Sequence, residues 1–122
     1  MVKTILVADD DAQIRKALCE IFEREQAYEL CEEATNGKEA VEIAMRCNPD
    51  LIILDFSMPV MSGIQAAKLI RAQLPSVPII LFTMHEETIF LHVKAVQSLV
   101  NRIVPKTEMA HLLNHVRDLA PA

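Results

Sequence analysis

Short apolar runs alternate along this chain with stretches in which apolar residues recur every three or four positions. Ile5-Leu6-Val7-Ala8 and Leu51-Ile52-Ile53-Leu54 are of the first kind. Runs this short, rich in β-branched residues, mark strands buried on both faces of a parallel sheet. The pattern predicts strands at about Lys3 to Ala8, Tyr28 to Glu32, Leu51 to Leu54, Pro78 to Phe82 and Arg102 to Val104. Between them lie helical stripes. Asp11 can cap a helix whose apolar positions are Ile14, Ala17, Leu18, Ile21 and Phe22. Asn36 with Glu39 has the form of a capping box, opening a helix that Asn48-Pro49 stops. Ser62 caps a helix carrying Ile64, Ala67, Leu69 and Ile70, which ends near Leu74-Pro75. A fourth helix is predicted from about Glu86 to Gln97. Thr107 is placed to cap a last one bearing Met109, Leu112, Leu113, Val116 and Leu119.

Strict alternation of strand and helix implies a doubly wound α/β fold, with right-handed crossovers and helices on both faces of a parallel sheet. Ligands in such folds bind at the carboxyl edge of the strands. Asp9, Asp10, Asp55, Thr83 and Lys106 all fall at predicted strand ends. Each has an ordinary reading taken singly: a helix-start acid, a turn residue, a strand-end hydroxyl, a surface charge. Those readings do not require an acid pair, an acid, a hydroxyl and a lysine in that order. Three carboxylates at one edge repel each other, and a hard divalent cation with oxygen ligands relieves that. The chemistry expected is a Mg²⁺ site beside a nucleophilic carboxylate.

Composition narrows the picture. With 122 residues, 52% of them hydrophobic, the chain is expected to form one domain over residues 1–122 with a real core. No apolar run is long enough to cross a membrane and no signal-peptide pattern opens the chain, so a cytoplasmic protein is expected. A net charge of −5 argues against nucleic-acid binding by this domain. Cys19, Cys31 and Cys47 lack metal-site spacing and are expected to be reduced thiols. Only Gly37 and Gly63 are glycines, so phosphate chemistry here cannot rest on a glycine-rich cradle. His111 and His115 have the i, i+4 spacing of a zinc pair but no third ligand nearby, and are read as a solvated helix face.

The segments ILVADDD, DLIILDFSMPVMSG, VPIILFTMH and IVPK together resemble a response-regulator receiver domain, end to end. The wording LDFSMPVMSGIQAAKLIRAQLP and LFTMHEE is similar to receivers of the NarL/LuxR type, which usually precede a DNA-binding domain. The resemblance implies a flavodoxin-like (βα)5 sheet in strand order 2-1-3-4-5, a known arrangement of this fold. It implies that Asp55 accepts a phosphoryl group from a sensor histidine kinase. It also implies that Asp10, Asp55 and the backbone carbonyl of Ser57 hold Mg²⁺, with Asp9 assisting through water. Thr83 and Lys106 would contact the phosphoryl oxygens, and the domain would switch an output, with transcription the first expectation. It would catalyse only its own phosphorylation and dephosphorylation. The fourth helix, apolar on more than one face, reads either as buried in a tight core or as a homodimer surface of the kind receivers often use.

The chain departs from that family at several points. Ile103 stands where an aromatic switch residue is usual, and Leu99-Val100 and Arg102 replace small residues. Met84 and His85 follow the threonine, Pro105 precedes the lysine, and Thr107 replaces the proline after it. Ile103, Leu99 and Met84 favour a second reading, a degenerate receiver acting as an interaction module, which the intact set Asp9, Asp10, Asp55, Thr83 and Lys106 opposes. A third class, an aspartyl-phosphate hydrolase, would want an acid two residues after the nucleophile, where Ser57 stands.

Overall fold

The computed structural model describes residues 2–84 and 93–122. Its elements are β1 (Lys3–Ala8), α1 (Ala12–Glu23), β2 (Tyr28–Ala34), α2 (Gly37–Cys47), β3 (Leu51–Leu54), α3 (Gly63–Gln73), β4 (Ile79–Thr83), α4 (Val93–Gln97), β5 (Arg102–Pro105) and α5 (Leu112–Leu119). The five strands form one parallel sheet in the order β2-β1-β3-β4-β5. The expected doubly wound architecture is the observed one. The start of the fourth helix near Glu86, together with His85, lies outside the described residues.

Alternation along the strands divides the core in two. Leu6, Ile52, Leu54, Ile79 and Leu81 point to one face and meet Ala40, Ile43, Ala66, Ile70 and Val96 from α2, α3 and α4. Ile5, Val7, Ile53, Ile80 and Phe82 point to the other and meet Leu18, Phe22, Leu112 and Val116 from α1 and α5. Cutting one such fully buried side chain to alanine costs about 3–5 kcal/mol.

The caps follow the sequence closely. Asp11 accepts from the Gln13 amide at 2.8 Å. Ser62 and Gln65 form a complete capping box. Asn36 accepts from the Glu39 amide at 2.9 Å, but the Glu39 carboxylate returns to the Thr35 amide rather than to that of Asn36. Asn48 ends α2 in the left-handed conformation, φ 47°.

Three expectations need correction. β4 begins at Ile79, not at Pro78, because proline has no N–H for the ladder; its carbonyl still accepts from Ile52 at 2.9 Å. β2 runs two residues beyond Glu32 and bulges: Ile5 pairs Leu30 while Val7 pairs Glu33. Thr107 caps nothing. Residues Lys106–His111 wind as a 3-10 turn without a side-chain cap, and Glu108 leaves helical geometry. The helix starts only at Leu112, where Leu112 and Val116 can enter the core.

Candidate functional site

Backbone register brings the acids together. Ala8 pairs Leu54 across β1 and β3, and the Asp55 amide donates to the Ala8 carbonyl at 2.9 Å. Asp9 and Asp55 thus leave adjacent strands at the same level. Both are buried, at 2% and 5% exposure, whereas Asp10 is exposed. Ligand-capable oxygens of Asp9, Asp10 and Asp55 lie within 4.8 Å of one another.

Lys106 reaches this cluster from the end of β5. Its Nζ lies 2.6 Å from Asp9 Oδ2 and 3.4 Å from Asp55 Oδ1. Burial disfavours the ammonium, but the hydrogen bond to Asp9 and the charges of Asp55 and Asp9 outweigh it and raise its pKa. Asp55 moves the other way from an ordinary ion-paired acid. Burial, then the Asp9 charge, push its carboxyl up to about 6 against the pull of Lys106.

Supporting groups hold these side chains. Asp9 Oδ1 accepts from the Asp11 amide at 2.9 Å, and the Asp9 carbonyl accepts from Arg15 Nη1 at 2.8 Å. Arg15 also pairs with Glu33 at 3.3 Å, tying α1 to β2. Sequence reasoning passed over Arg15, although its place one helical turn after Asp11 was a legible signal. Thr83 is fully buried at the end of β4, opposite Pro105 on β5. Ser57 lies two residues past Asp55 on the exposed loop, so its main chain belongs to the same neighbourhood.

That loop is clamped by both glycines. The Gly63 amide donates to the Phe56 carbonyl, and a Cβ on Gly63 would stand 2.0 Å from the Asp55 carbonyl oxygen. The Gly37 amide donates to the Met61 carbonyl, and a Cβ there would stand 2.1 Å from that oxygen. Between them the Met61 amide bonds the Pro59 carbonyl, forcing Val60 to φ 68°. Left-handed geometry is strained for a β-branched residue.

The donor set suits Mg²⁺. All ligands are hard oxygens, and about 4.2 Å separates opposite oxygens across an octahedral Mg²⁺. The 4.8 Å cluster needs little closure, or one ligand acting through water. Lys106 already supplies the positive charge that such a cluster demands. A cleft of about 370 Å³ between α1 and β2 includes none of these acids, so the site rests on charge geometry rather than cavity size.

His115 has an ordinary occupation. Its Nδ1 lies 3.0 Å from Arg102 Nη1, which also bonds Asp118 at 3.0 Å. Ile103 is half-buried against the face formed by α2, α3 and α4.

Comparison with known proteins agrees with this geometry. The family model for the response regulator receiver domain matches residues 5–117. A protein-glutamate methylesterase/protein-glutamine glutaminase from Vibrio vulnificus is 45% identical over 83 residues, 68% of this chain and 22% of that protein. The chain thus spans about a fifth of the length of that curated relative. The response regulator domain of Thermotoga maritima CheB superposes with TM-score 0.88 at 27% identity, covering 100% of this chain and 98% of that one. A LuxR-family response regulator from Aurantimonas gives 0.88 at 26% identity, covering 98% and 86%. TrrA from Thermotoga maritima, solved with Mg(2+)-BeF, gives 0.86 at 34% identity, covering 97% and 99%. Matches of methylesterase and LuxR kinds stand side by side, so the narrower NarL/LuxR likeness is not singled out. With nearly its whole length matched by one family model and its acids gathered at one sheet edge, the chain belongs to the response-regulator receiver domains.

Proposed function

We propose that this chain is a phosphoacceptor switch in which Asp55 takes a phosphoryl group from a phosphohistidine on a sensor kinase. The observation that carries this reading is Lys106 bridging two buried carboxylates, with a third within 4.8 Å. An oxygen of Asp55 attacks phosphorus, the P–N bond breaks, and the leaving imidazole takes up a proton. Asp10, Asp55 and the Ser57 carbonyl would hold Mg²⁺, with Asp9 assisting. The ion, when bound, would supply charge neutralisation for phosphoryl transfer. Lys106 supplies a mobile point charge with three donors for those oxygens. Thr83 turns its hydroxyl toward the new phosphoryl group and biases a two-state equilibrium. Water attack on phosphorus resets the carboxylate and releases inorganic phosphate. The domain is not a free-standing enzyme.

Intact mass after incubation with Mg²⁺ and acetyl phosphate tests this. A hydroxylamine-labile phosphoryl adduct is expected on the wild type and not on Asp55→Asn. Equal labelling of the variant removes Asp55 from its role. Absence of an adduct even with a cognate kinase supports the interaction-module reading instead, which the altered residues Leu99 to Pro105 favour.

For the output, transcription is the reading carried by the sequence wording and by the LuxR-family neighbour. Methylesterase relatives favour a different effector, one acting on glutamate side chains. Promoter binding against hydrolysis of glutamate methyl esters, each measured for the native gene product with and without phosphorylation, decides between them. A cytoplasmic setting suits a kinase-fed switch, and no helix of the described residues is long and apolar enough to cross a membrane. Homodimerisation through the fourth-helix face belongs to this reading too, although much of that helix lies outside the described residues. A molar mass that stays constant with concentration, with and without a phosphoryl mimic, counts against it.

A further inference from the structure

We propose that Cys31 and Cys47 are an oxidisable dithiol, closing a reversible disulfide between the edge strand β2 and the last residue of α2. Neither residue takes part in the phosphoacceptor chemistry.

β2 bulges beside Cys31. In a regular strand Cys31 and Glu32 would face opposite sides of the sheet. Two steps along β1 are matched here by three along β2, from Leu30 to Glu33. An extra residue of this kind re-aims the side chains beside it. Cys31 packs with the α2 face of the core, while Leu30 packs with the α1 face. Glu32 turns toward α2 as well and pairs with Arg46. Arg46 directly precedes Cys47, so the ion pair joins the neighbours of the two cysteines. Cys31 and Cys47 pack against the same core cluster, and Cys47 stands near enough to act electrostatically on the Cys31 thiol. The Cys31 S–H also lies 3.5 Å from the Ile5 carbonyl.

Both cysteines are half-buried and unbridged. Burial, with Cys47 alongside, pushes the Cys31 thiol up to about 11. Cys31 therefore stays a thiol at neutral pH and serves as the resolving sulfur. With hydrogen peroxide as oxidant, the Cys47 sulfur attacks one peroxide oxygen, the O–O bond breaks, and a sulfenic acid and water form. Cys31 sulfur then displaces the hydroxyl as a second water, making the S–S bond. Two thiols and one hydrogen peroxide give one disulfide and two waters. Cys19 does not compete, because it sits on α1, which packs on the opposite face of the sheet from α2.

The test uses the folded wild-type chain. After treatment with hydrogen peroxide, free thiols are alkylated in denaturant and the protein is digested with trypsin, which cuts after Lys38 and Arg46 and so separates the two cysteines. The expected product is two hydrogens lighter, alkylated on Cys19 alone, with the Cys31 and Cys47 peptides joined until dithiothreitol releases them. Cys19→Ser should give the same link. The same oxidation of urea-unfolded chain should scatter among the three pairings. Equal scatter from folded protein, three alkylated thiols, or sulfinic acid on Cys47 with Cys31 free would each overturn the proposal.

Discussion

Lys106 leans on Asp9 more closely than on Asp55, with Nζ at 2.6 Å from the first and 3.4 Å from the second. The ammonium thus rests on the auxiliary acid, and the nucleophile keeps a looser contact. Lys106→Ala leaves buried carboxylates without their cation, so metal-free protein loses roughly 3 kcal/mol. Mg²⁺ then binds at least as tightly as in the wild type, because it no longer competes with an ammonium. Phosphorylation no longer changes the shape of the domain. Thermal unfolding with and without Mg²⁺, together with a Mg²⁺ titration, checks this; weaker Mg²⁺ binding in the variant would contradict the arrangement.

The pH dependence follows from Asp55. Its carboxyl binds a proton more tightly in the folded state, at about 6, than an ordinary carboxyl near 3.8. Folded chains therefore hold more protons than unfolded ones between about pH 4 and 6, and stability falls as pH rises through that window. The loss is roughly 2 kcal/mol and belongs to the metal-free protein. Asp55→Asn removes it, so the difference in unfolding temperature between variant and wild type should widen from about pH 4 to about pH 6. Mg²⁺ affinity should climb over the same interval, since the cation needs the ionised carboxylate. Affinity flat across it would place the proton elsewhere.

The acceptor loop offers two substitutions of opposite sign. Gly63→Ala places a methyl 2.0 Å from the Asp55 carbonyl, so the loop must shift. We expect a loss of about 2–3 kcal/mol and at least tenfold slower phosphorylation. Val60→Gly relieves a β-branched residue held at φ 68° on an exposed turn and should stabilise by roughly 1 kcal/mol. Denaturant unfolding of both variants reads the signs directly.

Arg71 gives the fourth prediction. Its guanidinium donates to the carbonyls of Leu99, Leu74, Pro75 and Val77 and to Asn101 Oδ1. Asn101 Oδ1 in turn accepts from the Ile79 amide at 2.9 Å. One side chain thus joins the end of α3, the loop into β4 and the turn where α4 gives way to β5. Arg71→Met should cost about 2–4 kcal/mol, and Arg71→Lys should recover little, because an ammonium cannot span a planar fork. Full recovery by lysine would show that charge alone matters there.

The strands and the caps at Asp11, Asn36 and Ser62 were legible because burial on both faces and short polar caps leave local signatures, whereas the strand order came only with the family resemblance. The Asp9, Asp55 and Lys106 contacts follow from strand ends meeting at one edge, which the alternation of elements already implies. Thr107 misled because a good capping residue has no force when the chain is tethered one residue earlier by Lys106. Arg71 was not legible, since its partners are main-chain carbonyls on loops 3 to 28 residues away. The β2 bulge was equally silent: Tyr28 to Ala34 carries no glycine or proline to announce it.

The two rims of the sheet decide how copies of this chain can meet. An open strand edge is a template on which other chains add. β2 carries Glu29, Glu32 and Glu33 together with the bulge, and β5 ends on Pro105, which has no amide to offer. Ribbon-like growth is thereby blocked on both sides, even when the chain is crowded at high concentration. Any assembly of these domains has to be built from helix side chains, which can be remodelled by a switch and taken apart again.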